Sequence, residues 1–399
     1  MPNINITLSE FQNVDVINTK ADFPAAVGGV ITLEANKTYV VTGTVDLLGD
    51  RIVCDGVVNL FGLSSETSFL TSTGLGASVP LITSEHTIVL EKISFKDIDT
   101  CFSIDGNTNV VALDWKAVNF IDVPNVGVIN SCDNFIFDTG AFLGAQGLKL
   151  TGTIGTVAFN NSLFQGLGIA GNIIELDADC VITRRFRIIY SSIVAFGSTV
   201  GIHVNEDATI PVEAYILDTV NFSGGATYLS GVDNTSNKSL FINCVGITNT
   251  NSIGAMYMKN NAIETVIPSV NDRVPMAGVT EVNGINQRFD HDQANNALEY
   301  TGVISRVFHI TVTFTISPAS NNEKYGIYIG VNRGGAIDAD ADRISESEVY
   351  INTPQSGRAD AASVQALVTL NEGDKVYLIL QNVTTSANAT IEFMNMIIK

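Results

Sequence analysis

Positive charge is scarce in this chain. Its 399 residues include 21 lysines and arginines against 41 aspartates and glutamates, a formal net charge of −20. Nucleic-acid binding depends on neutralising phosphates, so such a surface excludes nucleic acid as a partner, and it disfavours anionic membranes as well. Cysteine is equally sparse. Cys54, Cys101, Cys132, Cys180 and Cys244 form no C-x-x-C pair, and an odd, scattered set with no signal peptide argues for buried, reduced thiols rather than disulfides or zinc. There is no run of 18 apolar residues, so neither a spanning helix nor membrane insertion is expected. The N-terminus, Met1-Pro-Asn-Ile-Asn-Ile-Thr-Leu-Ser-Glu-Phe11, lacks a basic segment followed by an apolar one, which predicts synthesis and folding in a cytoplasm. No Gly-x-Ser-x-Gly elbow, HExxH helix or phosphate loop occurs. The histidines, His86, His203, His291 and His309, are dispersed.

What the chain does have is repetition. Val111–Phe120, Phe135–Phe142, Val157–Phe164, Ala214–Phe222 and Ser239–Gly246 each read as a short apolar strand, then Asp or Asn, then a turn into another apolar position. The polar marker recurs at Asp114, Asp138, Asn160, Asp218 and Asn243, with Tyr190 in the marker place of one further unit, at spacings of about 22 to 30 residues. That period signals a solenoid. Between these strands lie others, such as Gly147-Leu-Lys-Leu-Thr-Gly152 and Gly201-Ile-His-Val-Asn-Glu206, making three strands per turn with almost no helix signal. One such turn cannot bury its apolar face, but stacked turns can. The expected fold is a right-handed parallel β-helix with the Asp/Asn markers laddered at one corner, where such residues tolerate unusual backbone angles. Phe120, Phe142, Phe164 and Phe222 are expected to point inward and stack.

From Ile304 the pattern changes to long alternating segments: Ile304–Ile316, Lys324–Asn332, Ala362–Leu370, Lys375–Val383 and Ala389–Ile398. About eight antiparallel strands suit a jelly roll. The expected organisation is an N-terminal cap or attachment segment over 1–25, the β-helix over 26–248, a neck over 249–288 containing Pro268 and Pro275, and a jelly-roll head over 289–399. The whole chain is thus expected to be all-β.

Three stretches carry a family resemblance. Arg288–Gly302 resembles the first strand of C1q/TNF-like jelly rolls found in phage fibres. Leu370-Asn-Glu-Gly-Asp-Lys-Val-Tyr-Leu-Ile-Leu380 resembles that family's Leu-x-x-Gly-Asp-x-Val-x-Leu strand, and Asn388–Met396 its closing strand. Gly28–Leu47 is similar to the first turns of pectin-lyase-like β-helices. Shaft, neck and terminal jelly roll together resemble phage tailspikes and tail fibres. The resemblance implies a homotrimer located in the virion, joined to other virion proteins through the N-terminus and binding a host-surface glycan or protein.

Candidate chemistry is sparse. Paired carboxylates of a glycan-cleaving site would have to come from Asp97 with Asp99, Asp177 with Asp179, or the adjacent Glu206 and Asp207. Each pair is more simply read as ordinary corner residues of a solenoid. The Arg184, Arg185, Arg187 cluster is unusual in so acidic a chain, and its simplest reading is a corner that binds a neighbouring subunit's acid. Asp338, Asp340 and Asp342 match the first three ligand positions of a calcium loop, but Arg343 stands where Gly belongs and Val349 replaces the closing Glu. The expectation is therefore no cofactor, no metal and no catalytic residue. The acidic loop, with Asp338, Asp340, Asp342, Glu346 and Glu348, is instead the expected receptor contact, exposed and mobile on a rigid head. The functional expectation is a trimeric receptor-binding fibre or spike. The alternatives are a depolymerase of host polysaccharide and a head fibre or capsid decoration.

Overall fold

In the computed structural model, residues 13–399 are described except 107–110, 234, 235, 237, 251, 303 and 304. The chain divides into two units, residues 1–249 and 250–399. The first is a parallel β-helix and the second an antiparallel jelly roll.

In the first unit each coil supplies three strands. One coil has Ile82–Ser84, Ile88–Glu91 and Ser94–Lys96; the next has Thr100–Asp105, Ala112–Lys116 and Asn119–Val123. Each pairs in parallel with its equivalent one coil on. Side chains alternate across a strand, so every second residue enters the lumen and identical positions stack. Leu70, Phe95, Phe120, Phe142, Phe164, Ile193 and Phe222 form one such column, all buried. Neighbouring ring centroids lie 5.6 Å (Phe95–Phe120), 5.1 Å (Phe120–Phe142) and 5.0 Å (Phe142–Phe164) apart. The expected phenylalanines are therefore stacked, with Ile193 interrupting between Phe164 and Phe222. A second column runs Trp115, Phe137, Phe159, Ile188, Leu217 and Phe241.

The polar-marker ladder is corrected by the register. Asp138, Asn160, Ile189 and Asp218 are stacked partners, whereas Asp114 stacks on Ile136, two residues out of step. The corner itself is made by the following residue. Lys92, Ala117, Thr139, Asn161, Tyr190, Thr219 and Asn243 all have φ between 49° and 54°. Each N–H from Lys92 to Thr219 donates to a carbonyl of the next coil at 2.8–3.0 Å. This left-handed turn is satisfied by backbone bonds, which is why Ala, Tyr and Lys can occupy it beside Asn. The marker pattern is partly coincidence: the corner needs a conformation, not a side chain.

The start of the β-helix lies earlier than expected, since Val14–Ile17 pairs in parallel with Lys37–Val41. Residues 1–12 of the anticipated attachment segment lie outside the described residues.

The second unit is a two-sheet sandwich. One sheet runs Gly254–Met258, Ala389–Ile398, Arg306–Pro318, Asp360–Leu370. The other runs Phe289–Asp292, Ala297–Tyr300, Lys375–Asn382, Glu323–Asn332, Val349–Thr353. Taken in chain order, Phe289–Asp292 with Ala297–Tyr300 and Glu323–Asn332 with Val349–Thr353 stay within the second sheet, and every other step among these nine strands crosses from one sheet to the other, as in a jelly roll. The expected neck is corrected here. Gly254–Met258 is the opening strand of the sandwich, and Met256, Met258, Ile267 and Met276 sit in its core. Arg273–Pro275 adds to the second sheet beside Lys375–Asn382.

Candidate functional site

Two regions gather the residues singled out above: the flank of the β-helix and the 333–348 loop of the sandwich.

On the β-helix, Asp177 and Asp179 face outward beyond Gly171–Leu176 but are already committed. Lys149 Nζ lies 2.6 Å from Asp177 Oδ2 and 3.6 Å from Glu175 Oε1. The hydrogen bond from Lys149 holds the Asp177 carboxyl below its usual range. Thr151 donates its hydroxyl to Asp179. A general acid needs a raised pKa, and Asp177 is driven the other way. Asp97 and Asp99 are both exposed and line a depression of about 290 Å³ with Ser72, Thr73 and Leu75. Asp207 takes part in a turn, its N–H donating to Asn205 Oδ1 at 3.1 Å.

The arginine cluster divides. Arg184 Nη2 donates to Asp133 Oδ1 at 2.7 Å and to Asn134 Oδ1 at 3.3 Å, crossing one whole coil. Gly155 makes the crossing possible, because a β-carbon there would stand 2.2 Å from Arg184 Nη2. The acid that Arg184 binds is thus in its own chain rather than in a neighbouring subunit. Arg185 and Arg187 have no ion-pair partner among the described residues, and Arg187 Nε is buried without a hydrogen bond.

On the sandwich, the five carboxylates of the acidic loop do different things. Asp342 is structural: its Oδ2 accepts from Tyr377 Oη at 2.8 Å, Asn332 Nδ2 at 3.0 Å and the Asp338 N–H at 3.0 Å. Burial, then the Asp342 hydrogen bond, pushes the Tyr377 phenol up. Asp338 caps its own turn, accepting from the Asp340 and Ala341 amides at 3.0 and 3.2 Å. Asp340 reaches Arg273 at 2.7 Å. Glu348 accepts from Tyr328 at 2.8 Å, and hydrogen bonds from Tyr350 and Tyr328 hold it below the usual range. Asp338, Asp340, Glu346 and Glu348 remain exposed. The three aspartates of the calcium-like spacing are thus turned to three different partners, and no cluster of three acidic, histidine or cysteine side chains converges among the described residues.

The loop is anchored where mobility was expected. Ala339 packs with Ala297, Tyr328, Tyr377 and Ile379 in a small second core on the outside of the sheet. Gly330 lets the rings lie flat, since a β-carbon there would stand 2.7 Å from Tyr377 Cζ. The signal was present in Tyr325-Gly-Ile-Tyr-Ile-Gly-Val331, where Gly and Tyr alternate on one face of the strand. A bare outer face has no need of glycines; a covered one does.

No protein-family model and no curated protein matches the chain. Among solved structures, the tailspike protein of Acinetobacter baumannii phage AM24 is 10% identical, covering 97% of this chain and 77% of that one with a TM-score of 0.30. Pantoea stewartii WceF, a glycan biofilm modifying enzyme with a tailspike-like parallel β-helix fold, is 10% identical over 92% of this chain and 56% of its own, with a TM-score of 0.29. Eiger TNF from S. frugiperda is 10% identical over 37% of this chain and 93% of its own, with a TM-score of 0.26. The chain therefore spans little more than half the length of WceF and most of Eiger.

Proposed function

We propose that the chain is a structural component of a bacteriophage virion, a homotrimeric tail fibre or spike that binds the host surface. The observation that carries this reading is one face of the sandwich. Alternate residues from Val307 to Thr315, from Ala361 to Thr369 and from Phe393 to Ile397 point out of the first sheet, and none is Asp, Glu, Lys or Arg. Four of them are large, apolar and exposed: Leu367 at 73%, Val307 at 68%, Phe393 at 46% and Ile397 at 37%. Copies with a net charge of −20 repel one another, so a face that carries none of that excess is where association costs least. Charge depletion with aromatic and aliphatic exposure marks an interface core, and a closed ring of copies satisfies every such face. Light scattering is expected to give three times the 42.5 kDa chain mass, and Phe393→Asp with Leu367→Asp is expected to give monomers. A wild-type monomer at micromolar concentration would overturn the reading.

With that face turned inward, the opposite sheet and its 333–348 loop are left to meet a receptor through Asp338, Asp340, Glu346 and Glu348. Labelled full-length protein is expected to decorate host cells, and Glu346→Lys with Asp338→Lys to weaken that binding. Unchanged labelling would move recognition to the β-helix flank. The second reading, a depolymerase, is favoured by Asp97 and Asp99 at the rim of one depression. It requires reducing-end release from host polysaccharide that Asp99→Asn abolishes.

A further inference from the structure

The β-helix carries a surface of its own that the reading above leaves unused. It is the outer face of the sheet built by the second strand of each coil, between residues 134 and 242. Three features coincide there. The middle column is Ile136, Ala158, Arg187, Ile216 and Leu240, stacked in register, and Ile136 and Ile242 are more than a third exposed. At the margin where the strands begin stands Arg185, stacked on Thr156. At the margin where they end stand Asp138, Asn160, Ile189 and Asp218, stacked in that order. Arg185, Arg187, Asp138 and Asp218 form no ion pair among the described residues. Arginines without partners are unexpected in a chain with 21 cations and 41 anions.

We propose that this face is the contact between β-helices of neighbouring copies, with Arg185 and Arg187 of one copy paired to Asp218 of the next. The proposal rests on the homotrimer above and says which side of each β-helix faces the others. A cyclic trimer is joined by heterologous contacts, in which one margin of a face meets the opposite margin of its neighbour. The two margins must therefore be complementary to each other rather than each to itself. Here one is cationic, the other anionic, and aliphatic residues lie between. The heights also agree. Asp218 sits one coil beyond the Arg185 strand, about 4.8 Å along the axis, and Arg184 shows that an arginine on this strand spans a longer gap to Asp133. Arg187, flanked by Ala158 and Ile216, has its Nε already withdrawn from water with no partner. That arrangement favours a carboxylate brought in against an apolar wall over one left in solvent.

Cysteine cross-linking in the full chain tests this. The five native cysteines are buried, and burial pushes Cys54, Cys132 and Cys180 up to about 12, so they stay silent toward maleimides. An Arg–Asp pair holds its two backbones further apart than a disulfide spans, so Arg185→Cys combined with Asp218→Cys is treated with a short bismaleimide; it is expected to yield covalent trimers, and neither single change should. In parallel, Arg185→Glu with Arg187→Glu should lower the temperature at which the trimer dissociates, and adding Asp218→Arg should restore much of the loss. A chain that is trimeric by mass yet gives no cross-link, with dissociation unmoved by charge reversal, overturns this face and leaves the trimer intact. A chain that is monomeric by mass overturns the trimer itself. If Arg185→Glu with Arg187→Glu leaves assembly unchanged but abolishes binding to an acidic polysaccharide such as polygalacturonate, the arginines serve an anionic glycan and the proposal fails.

Discussion

The β-helix and the sandwich are built from the same element and depend on it in opposite ways. In the β-helix a strand pairs with its own equivalent one coil away, so each contact is close in sequence and each coil is supported from both sides. In the sandwich the opening strand, Gly254–Met258, pairs with the closing one, Ala389–Ile398, and nothing is complete until the last strand arrives. Damage to the first kind of structure should stay local and graded, as in other quasi-one-dimensional folds. Damage to the second should be global. The two units also handle polar groups differently. The β-helix corner is held by backbone bonds that accept almost any residue, whereas the sandwich loop depends on named side chains, Asp342, Tyr377 and Asn332.

The sharpest way to break the comparison is Met256→Asp. It places an unpaired carboxylate in the sandwich core, at a cost of several kcal/mol. Calorimetry should show loss of one whole transition, with the β-helix transition unmoved. Next is Phe142→Ala, which leaves a cavity among Phe120, Phe137 and Phe164 and costs about 3–5 kcal/mol. It should lower only the β-helix transition, and a variant as resistant to heat as the wild type would undo the register. Tyr377→Phe is smaller. It removes one donor from Asp342, costs about 1–3 kcal/mol, and should make the 333–348 segment cleavable by protease while both transitions persist.

A pH series sharpens the sandwich side further. Lys375 Nζ lies 2.7 Å from Asp292 Oδ2, joining Phe289–Asp292 to Lys375–Asn382. That bond is the largest cause of the lowered Asp292 carboxyl and of the raised Lys375 ammonium. The carboxyl's contribution is full above its unfolded value near 3.8 and is lost as pH falls through the lower folded value; the ammonium's is lost as pH rises through its raised value, above 10.5. Lys375→Met should therefore cost about 1 kcal/mol at neutral pH, with the gap from wild type closing as pH falls through the lowered Asp292 value. The smallest effect is at the β-helix corner. Ala117→Gly relieves a left-handed conformation worth roughly 1–2 kcal/mol against most of that in added chain entropy, so stability should change by only a few tenths.

The β-helix was legible because its rule is local. Period, inward phenylalanines and strand count all follow from residues 22 to 30 apart, and the structure places Phe120, Phe142 and Phe164 in one column. The corner is less legible, for a physical reason. Asp and Asn are common beside a left-handed turn, so the sequence pattern groups Asp114 with Asp138, although the turn residues are Ala117 and Thr139. In the sandwich, the long alternating strands were legible, but Gly254-Ala-Met-Tyr-Met258 was not. It is short, it alternates poorly because Ala255 as well as its neighbours is buried, and its partner lies at the other end of the unit.

The candidate site divides along the same line. The sequence by itself determined which residues are chemically unusual: a few arginines in an acidic chain, and a run of carboxylates after two glycines. Only the tertiary structure decided what each is spent on, because that depends on what the fold brings alongside. Arg184 is used up by Asp133 across Gly155, while Arg185 beside it stays unpaired. Asp342 is turned inward to Tyr377, while Asp338 and Glu346 stay at the surface. Composition and periodicity act along the chain and can be read from it. A charge acquires or lacks a partner through space, and strands far apart in the chain set that distance.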